Sequence, residues 1–153
     1  MRRRSKNPIP FILAMIIVIV LLVVSVRLIS GFGKSEPEDV VSSFYHDEQE
    51  GDFGSAWELF HPVMQERFSK NAYVTERSHI YMSHYGVSTF QYKILEEEEV
   101  QNWKMAKDQK AFEAAYRFTV ELQFKSKFGA FTVLQDVYTV QHDDEWKIVW
   151  DFN

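Results

Sequence analysis

Residues 112–124 read FEAAYRFTVELQF, and this stretch decides the fold class of the chain. Its seven even-numbered positions, from Phe112 to Phe124, are all apolar, whereas the odd-numbered positions between them are polar except for Ala115. Alternation with a period of two places the apolar side chains on one face of a β-strand. A strand with one apolar face needs a covering layer, so the stretch predicts a sheet packed against other elements.

Three other segments of the chain also have strand patterns. Residues 87–100 carry Phe90, Tyr92 and Ile94 at alternating positions, and residues 130–141 are rich in β-branched and aromatic side chains. Residues 146–150 (WKIVW) predict a short final strand. The connections are expected at a turn over 125–129, a tight turn at Asp143-Asp144 and a loop over 101–110.

The segment before the strands has helical patterns. Pro37 followed by Glu38 and Asp39 is typical of a helix start, and Gly51 favours the helix end. Val40, Val41, Phe44, Tyr45 and Glu48 then lie on one stripe of that helix. Asp52 is a suitable N-cap for a second helix, whose apolar face is Phe53, Ala56, Trp57 and Phe60. A short third helix begins at Pro62 and carries Met64 and Phe68, and a fourth is expected over residues 71–85 with Gly86 as its stop. Helices followed by a meander of about four antiparallel strands predict an α+β fold, with the helices on the concave face of a curved sheet.

The beginning of the chain predicts a membrane anchor. Ile9 to Val26 is an uncharged 18-residue run that would span about 27 Å as a helix, close to the thickness of a bilayer core. Arg2, Arg3, Arg4 and Lys6 precede the run and Arg27 follows it, so the positive-inside rule places the N-terminus in the cytoplasm. A cleaved signal peptide is the alternative, but its apolar region is shorter and ends in a small-x-small site.

This organisation gives four segments and an uneven charge. Residues 1–8 form a basic cytoplasmic tail, 9–30 a transmembrane helix, 31–35 a tether, and 36–153 a domain on the extracytoplasmic face. The net charge of −5 conceals an asymmetry, because all 22 acidic residues follow residue 35. An acidic domain argues against nucleic-acid binding. The absence of cysteine excludes disulfides, thiolate metal sites and cysteine nucleophiles.

Three short motifs carry a resemblance to a known family. They are EGDF (50–53) with AWELF (56–60), HPVMQERFS (61–69), and the closing DEWKIVWD (144–151). In this order the domain resembles the NTF2-like superfamily, and more narrowly the NTF2-like N-terminal domain of membrane-anchored penicillin-binding transpeptidases. The resemblance implies a cone-shaped α+β fold and an accessory or spacer role. The chain has no Ser-x-x-Lys motif, so the acylating activity of that family is not carried over. Anchored scaffold subunits of conjugation and secretion machines share the layout, and fold does not choose among them.

Candidate site residues are few. Asp136 lies in the middle of an apolar strand, where a desolvated carboxylate would act as a base, as in NTF2-like isomerases and dehydratases. The alternative is an outward-facing Asp136 that pairs with Arg117 on the neighbouring strand. His79 and His84 are five residues apart, a poor spacing for metal ligands on an α-helix. We expect no cofactor and no metal. Trp146 and Trp150 belong either to the core or to a ligand pocket; the aromatic residues that would line such a pocket are Trp57, Tyr116, Phe118, Tyr138, Trp146 and Trp150.

Three functions are compatible with these observations. The first is a non-catalytic interaction or spacer module of the cell envelope, with an envelope protein as its partner and wall synthesis or assembly as its context. The second is a small-molecule-binding or enzymatic cone that uses Asp136. The third is a scaffold subunit of a secretion or conjugation machine, which would form a homo-oligomer.

Overall fold

The computed structural model describes residues 36–153, and the predictions for the basic tail, the anchor and the tether lie outside the described residues. Four α-helices come first: α1 (Pro37–Glu50), α2 (Phe53–Glu58), α3 (Pro62–Arg67) and α4 (Lys70–His79). A π-helical segment, Ile80–Tyr85, continues α4 and ends at Gly86. Four strands follow: β1 (Gln91–Trp103), β2 (Phe112–Ser126), β3 (Gly129–His142) and β4 (Glu145–Val149). Among these residues no helix is both long and apolar enough to cross a membrane.

The predicted α+β class and the antiparallel four-stranded sheet are confirmed. The sheet order is β1-β2-β3-β4, and every neighbouring pair is antiparallel. The second half of the alternating stretch behaves as expected, since Phe118, Val120, Leu122 and Phe124 are all buried beneath the helices. Its first half departs from the expectation, because Ala114 is exposed and Ala115 is buried. The tight turn between β3 and β4 is also confirmed, because Asp143 and Asp144 both have left-handed backbone conformations, at φ 50° and 64°.

The starts of α1, α2 and α3 and the end of α1 follow the predictions. Gly51 ends α1 in a left-handed conformation, and the Asp52 carboxylate accepts the Ser55 N–H at the start of α2. The expectation that α2 extends to Phe60 is wrong. The helix ends at Glu58 because the backbone of residues 59–61 bonds to both polar groups of Ile148, which adds a one-residue bridge to the edge of β4.

The hydrophobic core lies between α1 and the sheet. Phe44 is fully buried and packs on Phe60 and Trp150, with ring centroids 5.3 and 6.3 Å away. Helix α1 contacts all four strands, so it crosses the whole inner face of the sheet. We call the face toward α1 the inner face and the opposite face the outer face.

The sheet divides at one end. Strand β2 pairs with β1 along its whole length up to Phe112, but its pairing with β3 begins only at Tyr116. The prediction that residues 101–103 belong to a loop is therefore wrong, because they pair with β2 and extend β1. On the outer face near the division, Trp103 stacks on Tyr138 with ring centroids 4.0 Å apart. A second, smaller apolar layer thus covers this end of the sheet.

Candidate functional site: a groove at the division of the sheet

A groove with a volume of about 720 Å³ opens where β2 separates from β3. Phe112, Ala114 and Tyr116 form one wall, and these are the first three apolar positions of the alternating stretch. The opposite wall comes from the start of α3 and from the β3–β4 hairpin, and the connection after β1 closes one end. The remaining lining residues are His61, Val63, Met105, Gln109, Lys110, Ala111, Glu113, Gln141 and Trp146.

The aromatic part of the groove is built by packing between the two walls. Trp146 meets Tyr116 edge to face, with ring centroids 5.4 Å apart. The His61 ring meets Phe112 edge to face at 5.3 Å. The two walls therefore touch at two points: Tyr116 contacts Trp146, and Phe112 contacts His61. Because both polar and apolar residues line the groove, it can bind a ligand that has both kinds of surface.

His61 has a fixed orientation. Its Nδ1 atom accepts the backbone N–H of Val63 at 3.1 Å, which caps the N-terminus of α3. Burial, followed by the nearby His142 and Lys147, lowers the pKa of His61 below its usual value. The neutral ring therefore carries its proton on Nε2, since Nδ1 acts as an acceptor. The structure thus supplies one oriented N–H donor at this wall.

Sequence reasoning did not find the contact between His61, which lines the groove, and His142. The His61 and His142 rings are 4.8 Å apart, although 81 positions separate them in the chain. In the sequence, Pro62 predicts only a helix start, and His142 only precedes the predicted Asp143-Asp144 turn. The bridge between Phe60 and Ile148, which fixes α3 beside the β3–β4 hairpin, is the contact that brings these residues together.

Asp136 lies on the exposed outer face, away from the groove. Its Oδ1 atom accepts the Thr119 hydroxyl at 2.7 Å, and its Oδ2 atom is 4.0 Å from the Arg117 guanidinium. Arg117 also binds Glu98 of β1, within the acidic run of residues 96–99. This placement is the one that the alternative interpretation described, with an outward carboxylate beside Arg117.

The six aromatic residues proposed as pocket-lining occupy four different environments. Tyr116 and Trp146 line the groove. Phe118 and Trp150 belong to the core, where Trp150 packs edge to face on Phe60. Tyr138 lies on the outer face beneath Trp103. Trp57 is held by its indole N–H, which donates to the Phe68 carbonyl at 2.8 Å. Of the two tryptophans for which core and pocket were the alternatives, Trp150 packs in the core and Trp146 lines the groove.

A buried polar cluster joins α1 to α4 and the π-helix. The Glu48 carboxylate is fully buried and accepts hydrogen bonds from Arg77, Tyr73 and Tyr81. Arg77 also donates to the Tyr81 hydroxyl at 2.8 Å. Burial opposes the charge on Arg77, but Glu48 outweighs it and raises the pKa of the guanidinium. Burial, reinforced by Glu48, raises the pKa of Tyr73 and of Tyr81, so both stay protonated donors. This saturated cluster has a structural role.

The π-helix also changes the expectation for His79 and His84. A spacing of five separates two side chains on an α-helix, but one π-turn spans five residues. The two rings are therefore 4.9 Å apart, on an exposed surface. Within residues 36–153, no three His, Asp or Glu side chains converge in a way that could hold a metal ion.

Comparison with models of known protein families finds no match for the chain, and comparison with curated proteins finds none either.

Proposed function

We propose that the chain is a single-pass membrane protein with an NTF2-like domain on the extracytoplasmic face. The domain acts as a non-catalytic interaction module of the cell envelope, in a wall-synthesis or assembly context. Two features support the membrane part of the proposal: the uncharged run Ile9–Val26 and the basic residues Arg2, Arg3, Arg4 and Lys6 before it. The order of elements, with helices first and then an antiparallel meander crossed by α1, supports the NTF2-like cone.

The groove is the single observation that carries the interaction role. It is open at the division of the sheet, and its lining combines aromatic rings with hydrogen-bonding groups. Aromatic residues in such a position supply large contact areas with little loss of side-chain freedom. Its partner is a polypeptide segment of an envelope protein with at least one apolar side chain that packs on the joined rings of Tyr116 and Trp146.

In-cell photocrosslinking of the full-length chain tests this proposal. A photoreactive residue at Tyr116 should form a discrete crosslinked species, whereas one at Thr132, on the exposed outer face of β3, should not. Trp146→Ala should remove the Tyr116 crosslink without removing the protein from the membrane fraction. Equal crosslinking at both positions, or none at Tyr116, would refute the groove as the binding site. Fusion of a reporter after Asn153 tests the orientation independently.

Binding of a small molecule is the second candidate function for the same groove. A volume of about 720 Å³ falls in the range of ligand pockets, and the oriented N–H of His61 could hold a polar group of the ligand. A crosslinked adduct of small mass at Tyr116 would favour this function. A crosslink between two copies of the chain would favour the third, a scaffold subunit that forms a homo-oligomer.

A further inference from the structure

The acidic residues of the domain are distributed unevenly between its two ends. All 22 Asp and Glu residues of the chain lie after residue 35, yet residues 77–95 and 122–135 contain none. Both segments come together in the fold, because Gln91 at the start of β1 pairs with Gln123 near the end of β2. They include the π-helix, the beginning of β1 and the β2–β3 hairpin. We call this end of the domain the hairpin end.

The hairpin end exposes apolar side chains. Phe128, at the tip of the β2–β3 hairpin, is 88% exposed, and Met82 of the π-helix is 62% exposed. Both side chains line one shallow depression, together with Tyr85. Phe131 lies beside Tyr85, with ring centroids 5.4 Å apart, and is itself 36% exposed. Large apolar side chains exposed close to one another in this way are typical of a contact with a partner or a membrane.

Two lysines lie close to the exposed Phe128. Lys125 and Lys127 precede it in the hairpin, and the Lys127 ammonium lies 4.9 Å from the centre of the Phe128 ring. The C-terminal end of α1 also reaches the hairpin end, because the Gln49 side chain donates to the Phe90 carbonyl. The residue after Gln49, Glu50, is an acidic residue next to this contact in sequence. An exposed aromatic ring beside lysines, in a domain that is otherwise acidic, complements an anionic surface with an apolar interior.

We propose that the hairpin end docks on the anionic surface of the lipid bilayer, with Phe128 inserted at the level of the headgroups. A soluble polyanion would use Lys125 and Lys127 but would gain nothing from Phe128 and Met82, whereas a bilayer uses both groups. The inference rests on the proposed membrane anchor, since an anchor in residues 9–30 with a five-residue tether would keep the domain within about 17 Å of the bilayer.

The absence of cysteine permits a direct test with the full-length chain in nanodiscs. A single cysteine at Ala130, beside the hairpin tip, carries an environment-sensitive fluorophore, and a cysteine at Gln101, which does not line the groove, is the matched control. Both positions are exposed on strands. They lie about 36 Å apart along β2, because Gln101 pairs with Ala114 and Ala130 pairs with Lys125. In nanodiscs with about 30% phosphatidylglycerol the Ala130 probe should shift to the blue and be quenched by nitroxide lipids. The Gln101 probe should not respond, and neither probe should respond in pure phosphatidylcholine.

Substitutions test whether the response of the Ala130 probe depends on the positive charge of the hairpin tip and on its exposed aromatic ring. Lys125→Gln with Lys127→Gln should lower the ratio of docked to undocked domain about 30-fold, and Phe128→Ser at least tenfold. Lys104→Gln with Lys107→Gln removes the same charge from exposed positions elsewhere and should leave the ratio unchanged.

The outcomes separate this inference from the proposed function. A chain that stays in the membrane fraction while the Ala130 probe remains silent refutes the docking surface alone. A chain that does not fractionate with membranes refutes the anchor. An equal response to soluble polyphosphate without lipid would show that the tip binds a polyanion, and it would overturn the bilayer as its partner.

Discussion

Replacement of Arg77 by Met should destabilise the domain strongly, because it leaves the Glu48 carboxylate without its cation. The Glu48 side chain is 0% exposed and that of Arg77 is 17% exposed, so solvent cannot take the place of the guanidinium. Only the hydroxyls of Tyr73 and Tyr81 would remain as donors to Glu48. Loss of one member of a buried ion pair costs about 3–5 kcal/mol.

The size of this effect can be compared with the stability of the whole domain. About 118 residues correspond to a free energy of unfolding of roughly 6–18 kcal/mol, so the variant should still fold. Its melting temperature should fall by roughly 12–20 °C. Urea unfolding of the detergent-solubilised full chain, followed by tryptophan emission, measures the change. Trp150 reports on the cluster, because its ring lies 5.7 Å from the Arg77 guanidinium carbon.

A second substitution tests the reason for the destabilisation. Glu48→Gln should destabilise the wild-type chain, since Arg77 then lacks a carboxylate. In the Arg77→Met background the same substitution should restore about 1–2 kcal/mol, because it removes the uncompensated charge while the amide oxygen still accepts from the tyrosines. Lys70→Met, which breaks the exposed pair with Glu58, is the control and should cost less than about 1 kcal/mol. If Glu48→Gln destabilises both backgrounds equally, buried charge is not the cause.

Three further predictions concern single positions. The pKa of His61 is lowered in the folded protein, so the unfolded chain binds the proton first as the pH falls. The free energy of unfolding should therefore decrease below about pH 6.5. His61→Asn keeps a capping acceptor and should flatten that decrease, measured by urea titration at pH 7.5 and at pH 5. Gly86→Ala should cost about 1 kcal/mol in thermal unfolding because φ is +64° there, although nothing lies within 4 Å of the added carbon. Asp136→Asn should change stability by less than about 1 kcal/mol and leave the Tyr116 crosslink intact, and loss of that crosslink would contradict a purely surface role.

Local chemistry was enough to predict most of the elements. The period of two in residues 112–124, the Asp52 cap and the Asp143-Asp144 turn each depend on neighbouring residues, and the structure contains all three. The predicted apolar stripe of α1 included Glu48. An acidic residue on such a stripe does not indicate which cation pairs with it. Arg77 lies 29 positions away, so only the tertiary fold shows that Glu48 is buried in an ion pair.

The groove depends on a feature that periodicity does not encode. Phe112, Ala114 and Tyr116 continue the same apolar alternation as Phe118 and Val120, yet the first three line the groove and the last two lie in the core. The difference arises where β2 leaves β3, and that position is set by the bridge between Phe60 and Ile148 and by the pairing of β1 with the free part of β2. Inserting two residues, Gly-Ser, after Phe60 should therefore loosen α3 from the β3–β4 hairpin and abolish crosslinking from Tyr116. The same insertion between Lys127 and Phe128, in the β2–β3 turn and outside the groove, should keep the crosslink from Tyr116. If both insertions abolish the crosslink equally, the bridge at Ile148 does not build the groove.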